Sequence, residues 1–416
     1  MKPKEKILKN GLRIITIPMT DNPTVTVMVM VEAGSRFETR ANNGISHFLE
    51  HMCFKGTEKR KSLDIAYELE AMGAETNAFT GSDYTGYYAK GQAHLFPKLL
   101  DVVADVYLHS TFPADELEKE RGVISGEIDM YEDMPQRKVH DVMSEALYGD
   151  QPAGYTILGP KENIKTLSRD AIVAYRNSHY IAEKTTIVVA GNITASAVEK
   201  LVTQMFKNIR TGKKISKKKL AAQEGDRSKI VYKKTDQSHI VLGMRSIAAG
   251  HADATALGMA IGILGQGMSS RLFNKLREEM GAGYYVRAGI SATDDGGDIT
   301  LSTGTEPKRV PEVFKAMSHE VARMRTELVS EGELNKQKEY FVGGMLMGLE
   351  TTDAVAGHYA HFAMIHQPLK TPQQIEKEIR AVTVSDIKRV AQKYLKETGF
   401  HVAVIGPHTD ANLKLL

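Results

Sequence analysis

The chain repeats itself once, and this repeat limits the folds available to it more than any other feature of the sequence. Residues 168–172 precede a helical stretch and the apolar strand 187–191, and residues 383–387 precede a similar stretch and the strand 402–406. The offset from 168 to 383 is the same as the offset from 187 to 402. A period this long indicates a tandem duplication of a whole domain rather than a solenoid of short repeats.

Within each half, predicted strands alternate with predicted helices. At 416 residues the chain also exceeds the size at which one hydrophobic core stops growing. The sequence therefore predicts an α+β fold of two tandem homologous domains, each a mainly antiparallel sheet covered by helices. In the first half we expect strands at 12–18, 24–31 and 75–89, with a turn at 81–83, and helices at 45–56, 62–72, 98–108 and 115–130.

A basic segment separates the two halves. Residues 211–219 contain five lysines and no acidic residue. Such a run is typical of a solvated, flexible linker, and a basic docking patch is the less favoured alternative. We therefore predict an N-terminal domain at 1–210, a basic linker at 211–228 and a C-terminal homologous domain at 229–416.

Composition excludes several classes of protein. The formal net charge is only +3, so nucleic-acid binding is not expected. Cys53 is the single cysteine, which rules out an intrachain disulfide and a thiolate metal cluster. No apolar run reaches the roughly 18 residues of a membrane span, and no apolar region follows the charged N-terminus as in a secretory signal. A cytoplasmic location is the expectation.

The stretch His47-Phe48-Leu49-Glu50-His51 can build half of a metal site. On a helix, His47 and His51 lie one turn apart on one face, so two neutral imidazoles can bind one Zn²⁺. Glu50 would stand beside the metal rather than on it. There it can take a proton from a water whose pKa the metal lowers to about 7.

A catalytic zinc normally takes a third protein ligand, and the predicted helix at 115–130 offers candidates. This helix has Asp115 as a plausible N-cap. Glu120 and Glu127 are two turns apart and therefore share a face of the helix. Two solvated carboxylates on a surface helix are the alternative. The apolar partners beside them, as in Glu120-Arg-Gly-Val-Ile-Ser-Gly-Glu127-Ile, favour a structured role.

These motifs together resemble the pitrilysin/insulinase family of metallopeptidases, in which the motif H-x-x-E-H binds zinc. The likeness is greatest to the mitochondrial processing peptidase β-subunit and its short bacterial relatives, and it covers essentially the whole chain. The resemblance implies that Glu127, which follows His51 at the spacing found in the family, is the third ligand of one Zn²⁺ per chain. It also implies that Glu120 is an accessory glutamate and that Glu50 activates the water.

The resemblance assigns substrate-binding roles to residues of both halves. Arg277 and Tyr284 would hold the substrate backbone and stabilise the oxyanion, although a helix-end arginine and a core tyrosine are the alternative. Residues 75–80 resemble the family's edge strand, where Asn77, Ala78 and Phe79 would lie beside the scissile bond. An interior strand that binds nothing is the alternative there. The second half has no H-x-x-E-H.

The implied function is a zinc-dependent endopeptidase that hydrolyses unfolded peptides or presequence-like segments in a chamber closed by two subunits. A homodimer is favoured, and a heterodimer with an inactive paralogue stays open. Two other functions compete with this one: a non-catalytic scaffold subunit of a larger complex, and a peptide-binding subunit or chaperone.

Overall fold

The computed structural model describes residues 2–222, 226–409, 413 and 415. The strands are β1 (Lys4–Ile7), β2 (Arg13–Pro18), β3 (Thr24–Val31), β4 (Glu75–Thr80), β5 (Thr85–Gln92), β6 (Thr185–Gly191), β7 (Ser228–Tyr232), β8 (Ser238–Ser246), β9 (Val286–Ala292), β10 (Gly297–Thr305) and β11 (His401–Gly406).

The helices fall between these strands, and Arg271–Phe273 continues into a π-helical turn at Asn274–Glu279. They are α1 (Ile45–Cys53), α2 (Ser62–Ala71), α3 (Phe96–His109), α4 (Ala114–Glu132), α5 (Pro135–Tyr148), α6 (Lys161–Thr166), α7 (Arg169–His179), α8 (Ala195–Met205), α9 (Ala254–Gly265), α10 (Arg271–Phe273), α11 (Val310–Thr326), α12 (Glu331–Gly348), α13 (Thr352–Met364), α14 (Pro372–Ala381) and α15 (Val384–Tyr394).

The first compact unit, called unit 1, is built on a six-stranded sheet of order β1-β2-β6-β3-β5-β4. Only β2 and β6 are parallel, and the other neighbours pair antiparallel. The central strand β3 alternates valine with threonine or methionine side chains. It is buried almost throughout, because α3 covers one face of the sheet and α13 the other. The edge of this sheet is β4. Unit 1 comprises Met1–Ile128, Tyr155–Lys218 and Leu346–Pro372.

Unit 2 repeats this plan, although its described residues form no counterpart of β1. Its sheet has the order β7-β11-β8-β10-β9, in which only β7 and β11 are parallel. The strand β9 therefore occupies the edge that β4 occupies in unit 1. Unit 2 comprises Asp129–Gly154, Lys219–Met345 and Gln373–Leu416.

Each sheet is covered on one face by a helix from the other half of the sequence. The helix α5 packs on β8 and β11 in unit 2, and α13 packs on β3 and β6 in unit 1. The two helices begin at 135 and 352, which makes them counterparts in the repeat. The predicted domains 1–210 and 229–416 follow the order of the repeats along the chain. They assign α5 to the first domain and α13 to the second, whereas the structure exchanges these two helices between the units.

Two helix caps mark the repeat in atomic detail. Ser168 accepts a hydrogen bond from the backbone N–H of Ala171 at the start of α7, and Thr383 accepts one from the N–H of Asp386 at the start of α15. The two capping residues stand at equivalent positions of the repeat. The predicted α+β fold of two tandem homologous domains is confirmed.

The predicted elements of the first half are found with small shifts of their ends. The predicted N-cap Asp115 is wrong, because α4 already begins at Ala114 and Asp115 lies within its first turn. None of the helices in the described part of the chain combines the length and the apolar character that a membrane crossing requires.

Candidate active site

The helix α1 has an apolar face and a functional face. His47, Glu50 and His51 lie on the side opposite the core, within a helix that is otherwise held by its apolar residues. Those residues follow the helical spacing i, i+3, i+4, i+7 and are at most 1% exposed: Ile45, Phe48, Leu49 and Met52.

A buried carboxylate holds the start of α1. Its N-cap, Gly44, has a φ of 100° and offers no side chain for capping, and a Cβ there would meet the carbonyl oxygen of Leu158 at 2.6 Å. The side chain of Glu38 instead accepts hydrogen bonds from the backbone N–H groups of Gly44 and Ser46, at 2.9 and 2.8 Å. Glu38 thereby satisfies donors that a helix N-terminus leaves unpaired.

The two histidines of α1 converge with Glu127 of α4. The Nε2 atoms of His47 and His51 lie 3.6 and 3.7 Å from Glu127 Oε2. Both separations are too long for a hydrogen bond. They are close to the distance of about 3.3 Å between two ligand atoms of one tetrahedral zinc ion. Within the part of the chain that the structure describes, no other group of three His, Cys, Asp or Glu residues converges in this way.

The state of the histidines also suits a metal. Burial, and to a smaller extent the neighbouring His51, lowers the pKa of His47 to about 3, so its imidazole is neutral as a metal ligand must be. His51 Nδ1 lies 2.9 Å from Glu120 Oε2. By contrast, the buried Nδ1 of His47 has no hydrogen-bond partner. The three residues therefore fit a zinc ion, with one histidine oriented by a carboxylate and the other by packing.

Glu120 is the buried partner of this centre. It is 5% exposed on the core-facing side of α4, and its Oε1 lies 2.5 Å from Lys55 Nζ. Lys55 supplies the positive charge that a buried carboxylate requires. The structure thus brings Glu120 to His51, as the accessory role requires, and adds Lys55 to the set.

Glu50 is held by a side chain from the edge strand. Thr80 Oγ1, at the end of β4, donates a hydrogen bond of 2.5 Å to Glu50 Oε2. Burial raises the pKa of Glu50, while this hydrogen bond acts in the opposite direction. A carboxylate with a raised pKa is a better proton acceptor near neutral pH than an ordinary glutamate.

The segment with Asn77, Ala78 and Phe79 forms the exposed edge of the sheet of unit 1. The strand pairs on one side only, with β5, which leaves its other side open for hydrogen bonds to an extended chain. The alternative of an interior strand is thereby excluded. Asn77 and Phe79 are exposed and Ala78 is half-buried.

Arg277 and Tyr284 belong to unit 2, whereas His47, His51 and Glu127 belong to unit 1. Arg277 Nη1 donates to the carbonyl oxygen of Gly283 at 3.0 Å, and Tyr284 is 52% exposed. Tyr284 is therefore not a core residue. Gly283 directly precedes Tyr284, so this hydrogen bond holds the Arg277 side chain near the backbone of Tyr284.

Sequence reasoning missed three residues that contact this site: Thr80, Lys55 and Glu38. The position of Thr80 at the end of a predicted edge strand was the one available signal. The histidine cluster of His358, His361 and His366 does not form a group with metal-binding geometry among the described residues. The structure thus adds hydrogen-bond partners to this site, and its described residues offer no second candidate for a metal site.

Two family models match successive parts of the chain. Residues 13–161 match the insulinase (peptidase family M16) model, and residues 166–341 match the model of the peptidase M16 inactive domain. The chain belongs to this family. Its second half matches a domain described as inactive, which agrees with the absence of an H-x-x-E-H there.

Similar proteins are named zinc proteases. The uncharacterized zinc protease YmxG of Bacillus subtilis is 35% identical over 97% of this chain and 98% of its own length. An uncharacterized zinc protease of Streptomyces coelicolor is 32% identical over 97% of this chain and 89% of its own.

Among solved structures, a protease from Helicobacter pylori matches 98% of this chain and 99% of its own with a TM-score of 0.91, at 23% identity. A peptidase M16 inactive domain from Pseudomonas fluorescens matches with the same TM-score and coverage at 19% identity. At these identities the structural matches establish the fold alone.

Proposed function

We propose that this protein is a zinc-dependent endopeptidase that hydrolyses unfolded peptides. The observation that carries the proposal is the convergence of His47, His51 and Glu127, with 3.6 and 3.7 Å between the histidine Nε2 atoms and the carboxylate oxygen. A residue suited to act as a base, Glu50, stands on the same helix beside them. The names of the relatives support the same class of enzyme.

Each residue has a part in peptide hydrolysis. A zinc ion held by the three ligands would polarise the peptide carbonyl and acidify the attacking water. Glu50 accepts the proton of that water and returns it to the nitrogen of the leaving amine. Glu120 keeps the ring of His51 in the orientation that directs Nε2 toward Glu127.

The edge strand β4 favours an extended, unfolded substrate. Main-chain hydrogen bonds to an exposed edge give affinity with little dependence on side chains. Asn77, Ala78 and Phe79 would then flank the scissile bond. A folded protein has most of its backbone N–H and C=O groups paired internally, so unstructured or presequence-like segments are the expected substrates.

The test is hydrolysis of a quenched, unstructured peptide of about 15–25 residues, a length at which an isolated helix is marginal. We expect cleavage that a chelator abolishes and that added zinc restores. Glu50→Gln should bind zinc as the wild type does and lower kcat by about 10²–10⁴-fold, the usual contribution of a general base. Normal cleavage by this variant would mean that another group activates the water.

A failure of the wild type to cleave has a defined meaning. If the protein holds stoichiometric zinc and binds the peptide but releases no products, either it is a peptide-binding or scaffold subunit or it requires a partner subunit to complete its active site. If cleavage continues in the presence of the chelator, the reaction does not depend on the metal centre.

We further propose that two chains form a composite active site, with Arg277 and Tyr284 of one chain serving the zinc ligands of the other. A homodimer is the simplest such assembly, and a heterodimer with an inactive paralogue is the alternative. Complementation separates composite from single-chain sites. Glu50→Gln and Arg277→Ala should each be inactive alone, and their mixture should recover about a quarter of wild-type activity if pairs form at random.

The result of the mixture is decisive in both directions. A mixed dimer contains one site with an intact Glu50 and an intact Arg277 only if these residues come from different chains. No recovery, with subunit exchange verified by two affinity tags, would assign both residues to one chain.

A further inference from the structure

The last residue of the edge strand, Thr80, contacts the proposed base directly. Its Oγ1 donates to Glu50 Oε2 at 2.5 Å, and neither residue is fully exposed. A carboxylate has two oxygens, and a hydrogen bond to one of them fixes the plane and rotation of the group. The second oxygen is left for a different partner.

The hairpin that carries Thr80 is anchored at its turn. Asp83 is 7% exposed and lies 3.2 Å from Arg36 Nη1 and 2.7 Å from Lys217 Nζ. The backbone N–H of Arg36 also donates to the carbonyl oxygen of Ser82 at 2.9 Å. These bonds hold the end of β4, and therefore the Thr80 hydroxyl, in a fixed place.

We propose that Thr80 is a positioning residue for Glu50, an inference that rests on the function proposed above. Its hydroxyl holds Oε2 and thereby presents Oε1 to the attacking water. Because Thr80 ends the strand that receives the peptide, one element both binds the substrate and orients the base. The residue acts through Glu50 and touches neither the metal ligands nor the scissile bond.

The cross-strand partner of Thr80 supplies a matched control. Thr85 pairs with Thr80 in the register of β4 and β5, but its hydroxyl donates to the carbonyl oxygen of Ala33 at 2.9 Å. Replacing either threonine by valine removes one hydroxyl from the same end of the hairpin and keeps a β-branched side chain. Only the change at 80 removes a bond to Glu50.

The experiment compares Thr80→Val, Thr80→Ser and Thr85→Val with the wild type, all loaded with zinc. We expect Thr80→Val to lower kcat by about 10- to 100-fold, the size of a lost hydrogen bond to a charged group, with KM and zinc stoichiometry unchanged. Thr80→Ser should recover most of the rate, and Thr85→Val should stay within a few-fold of the wild type.

A second measurement does not depend on activity. In metal-free protein labelled with ¹³C at the glutamate carboxyl carbons, the Glu50 resonance is identified by its absence in Glu50→Gln. Thr80→Val should shift this resonance, and Thr85→Val should leave it in place. An unchanged resonance in Thr80→Val would overturn the inference.

The kinetic outcomes distinguish the two proposals. If the wild type cleaves peptide and Thr80→Val cleaves it equally well, or if Thr85→Val is as slow as Thr80→Val, only the role of Thr80 is refuted. If the wild type with bound zinc does not cleave, the peptidase proposal fails, and the positioning role fails with it.

Discussion

In unit 1 the helix α1 packs beside the edge strand β4 and presents two histidines and a glutamate, whereas in unit 2 the helix α9 packs beside the edge strand β9 and presents none. The sequence of α9, Ala-Thr-Ala-Leu-Gly-Met-Ala-Ile-Gly-Ile-Leu-Gly, contains no histidine, cysteine or carboxylate. Both helices are nonetheless held by buried apolar residues. The same arrangement of helix and edge strand therefore forms in unit 2 without these side chains.

The two units also differ in the helix that contacts α1 or α9, which is α4 in unit 1 and α12 in unit 2. The repeat aligns Glu116 with Glu333, and the same alignment sets Glu120 opposite Gln337. Gln337 is 0% exposed, and a Cβ on Gly262 of α9 would lie 2.5 Å from its Nε2. Unit 1 pairs a carboxylate with a histidine at the place where unit 2 packs an amide against a glycine.

Removal of a metal ligand gives the strongest test of this comparison. We expect His47→Ala and Glu127→Gln to weaken zinc binding by more than about 100-fold, beyond the effect of losing an outer partner, and to abolish peptide cleavage. The far-ultraviolet circular dichroism should change little, because the corresponding helix and strand of unit 2 form without such ligands, and the unfolding midpoint should fall only by the stabilisation that bound zinc supplies. Unfolding of these variants would show that unit 1, unlike unit 2, depends on its metal.

Exchanging the matched residues of α4 and α12 tests the comparison at a second position. Glu120→Gln should weaken zinc binding by about 10- to 100-fold, because His51 loses its carboxylate partner. Gln337→Glu should leave zinc binding unchanged and lower the free energy of unfolding by several kcal/mol, because it buries an acidic group whose amide predecessor already lacks hydrogen-bond partners. Equal effects on zinc binding would contradict the assignment of Glu120 to the centre.

The sequence predicts structure formed by neighbouring residues better than contacts between residues that are distant along the chain. The spacing within 47–51 is a local pattern, and the structure places these five residues on one helix as expected. The caps at 168 and 383 are also local, but they were not predicted. The exchange of α5 and α13 could not be foreseen, because helical periodicity states which face is apolar but not which sheet it covers.

Side-chain contacts between distant segments could not be predicted for the same reason. Thr80 and Glu50 are thirty residues apart, and Lys55 and Glu120 are more than twice as far. Nothing in the local sequence pairs them. The resemblance to a family supplied Glu127 and Glu120, whereas neither periodicity nor spacing distinguished these two glutamates from solvated residues on a surface helix.

A buried lysine should make the stability of unit 1 depend on pH in a way that unit 2 does not share. Lys184 precedes β6, is 1% exposed, and has its Nζ 3.9 Å from the centre of the Phe37 ring. Burial lowers its pKa to about 8, with Glu32 acting in the opposite direction. The alignment that matches Ser168 with Thr383 places Gly399 of unit 2 at the corresponding position.

The sign of the effect follows from proton binding. An unfolded lysine has a pKa near 10.4, so between pH 8 and 10 the unfolded chain binds more protons than the folded one at this site. Stability from this group therefore rises with pH, by up to about 3 kcal/mol. In Lys184→Met this increment should vanish, as measured by urea unfolding at several pH values. Lys213→Met, at an exposed lysine, is the control and should keep the wild-type slope.

The two helix caps should differ by the smallest amount. Ser168 makes one capping bond, to the N–H of Ala171 at 3.1 Å. Thr383 makes the corresponding bond and also receives its reciprocal, because the backbone N–H of Thr383 donates to Asp386 Oδ2 at 3.1 Å. Removing a cap costs about 1 kcal/mol of unfolding free energy. Thr383→Ala should cost more, because it also removes the hydrogen bond of 2.7 Å that the threonine hydroxyl donates to Asp386 Oδ2.

We therefore expect Thr383→Ala to destabilise the protein more than Ser168→Ala, in matched urea titrations. In the Asp386→Ala background, the further change Thr383→Ala should cost about as much unfolding free energy as Ser168→Ala costs in the wild type. The background has lost the reciprocal acceptor and keeps only the bond to the threonine hydroxyl. An equal cost for the two single alanine variants would mean that the box adds nothing beyond the shared capping bond. The caps would then be equivalent in energy as well as in position.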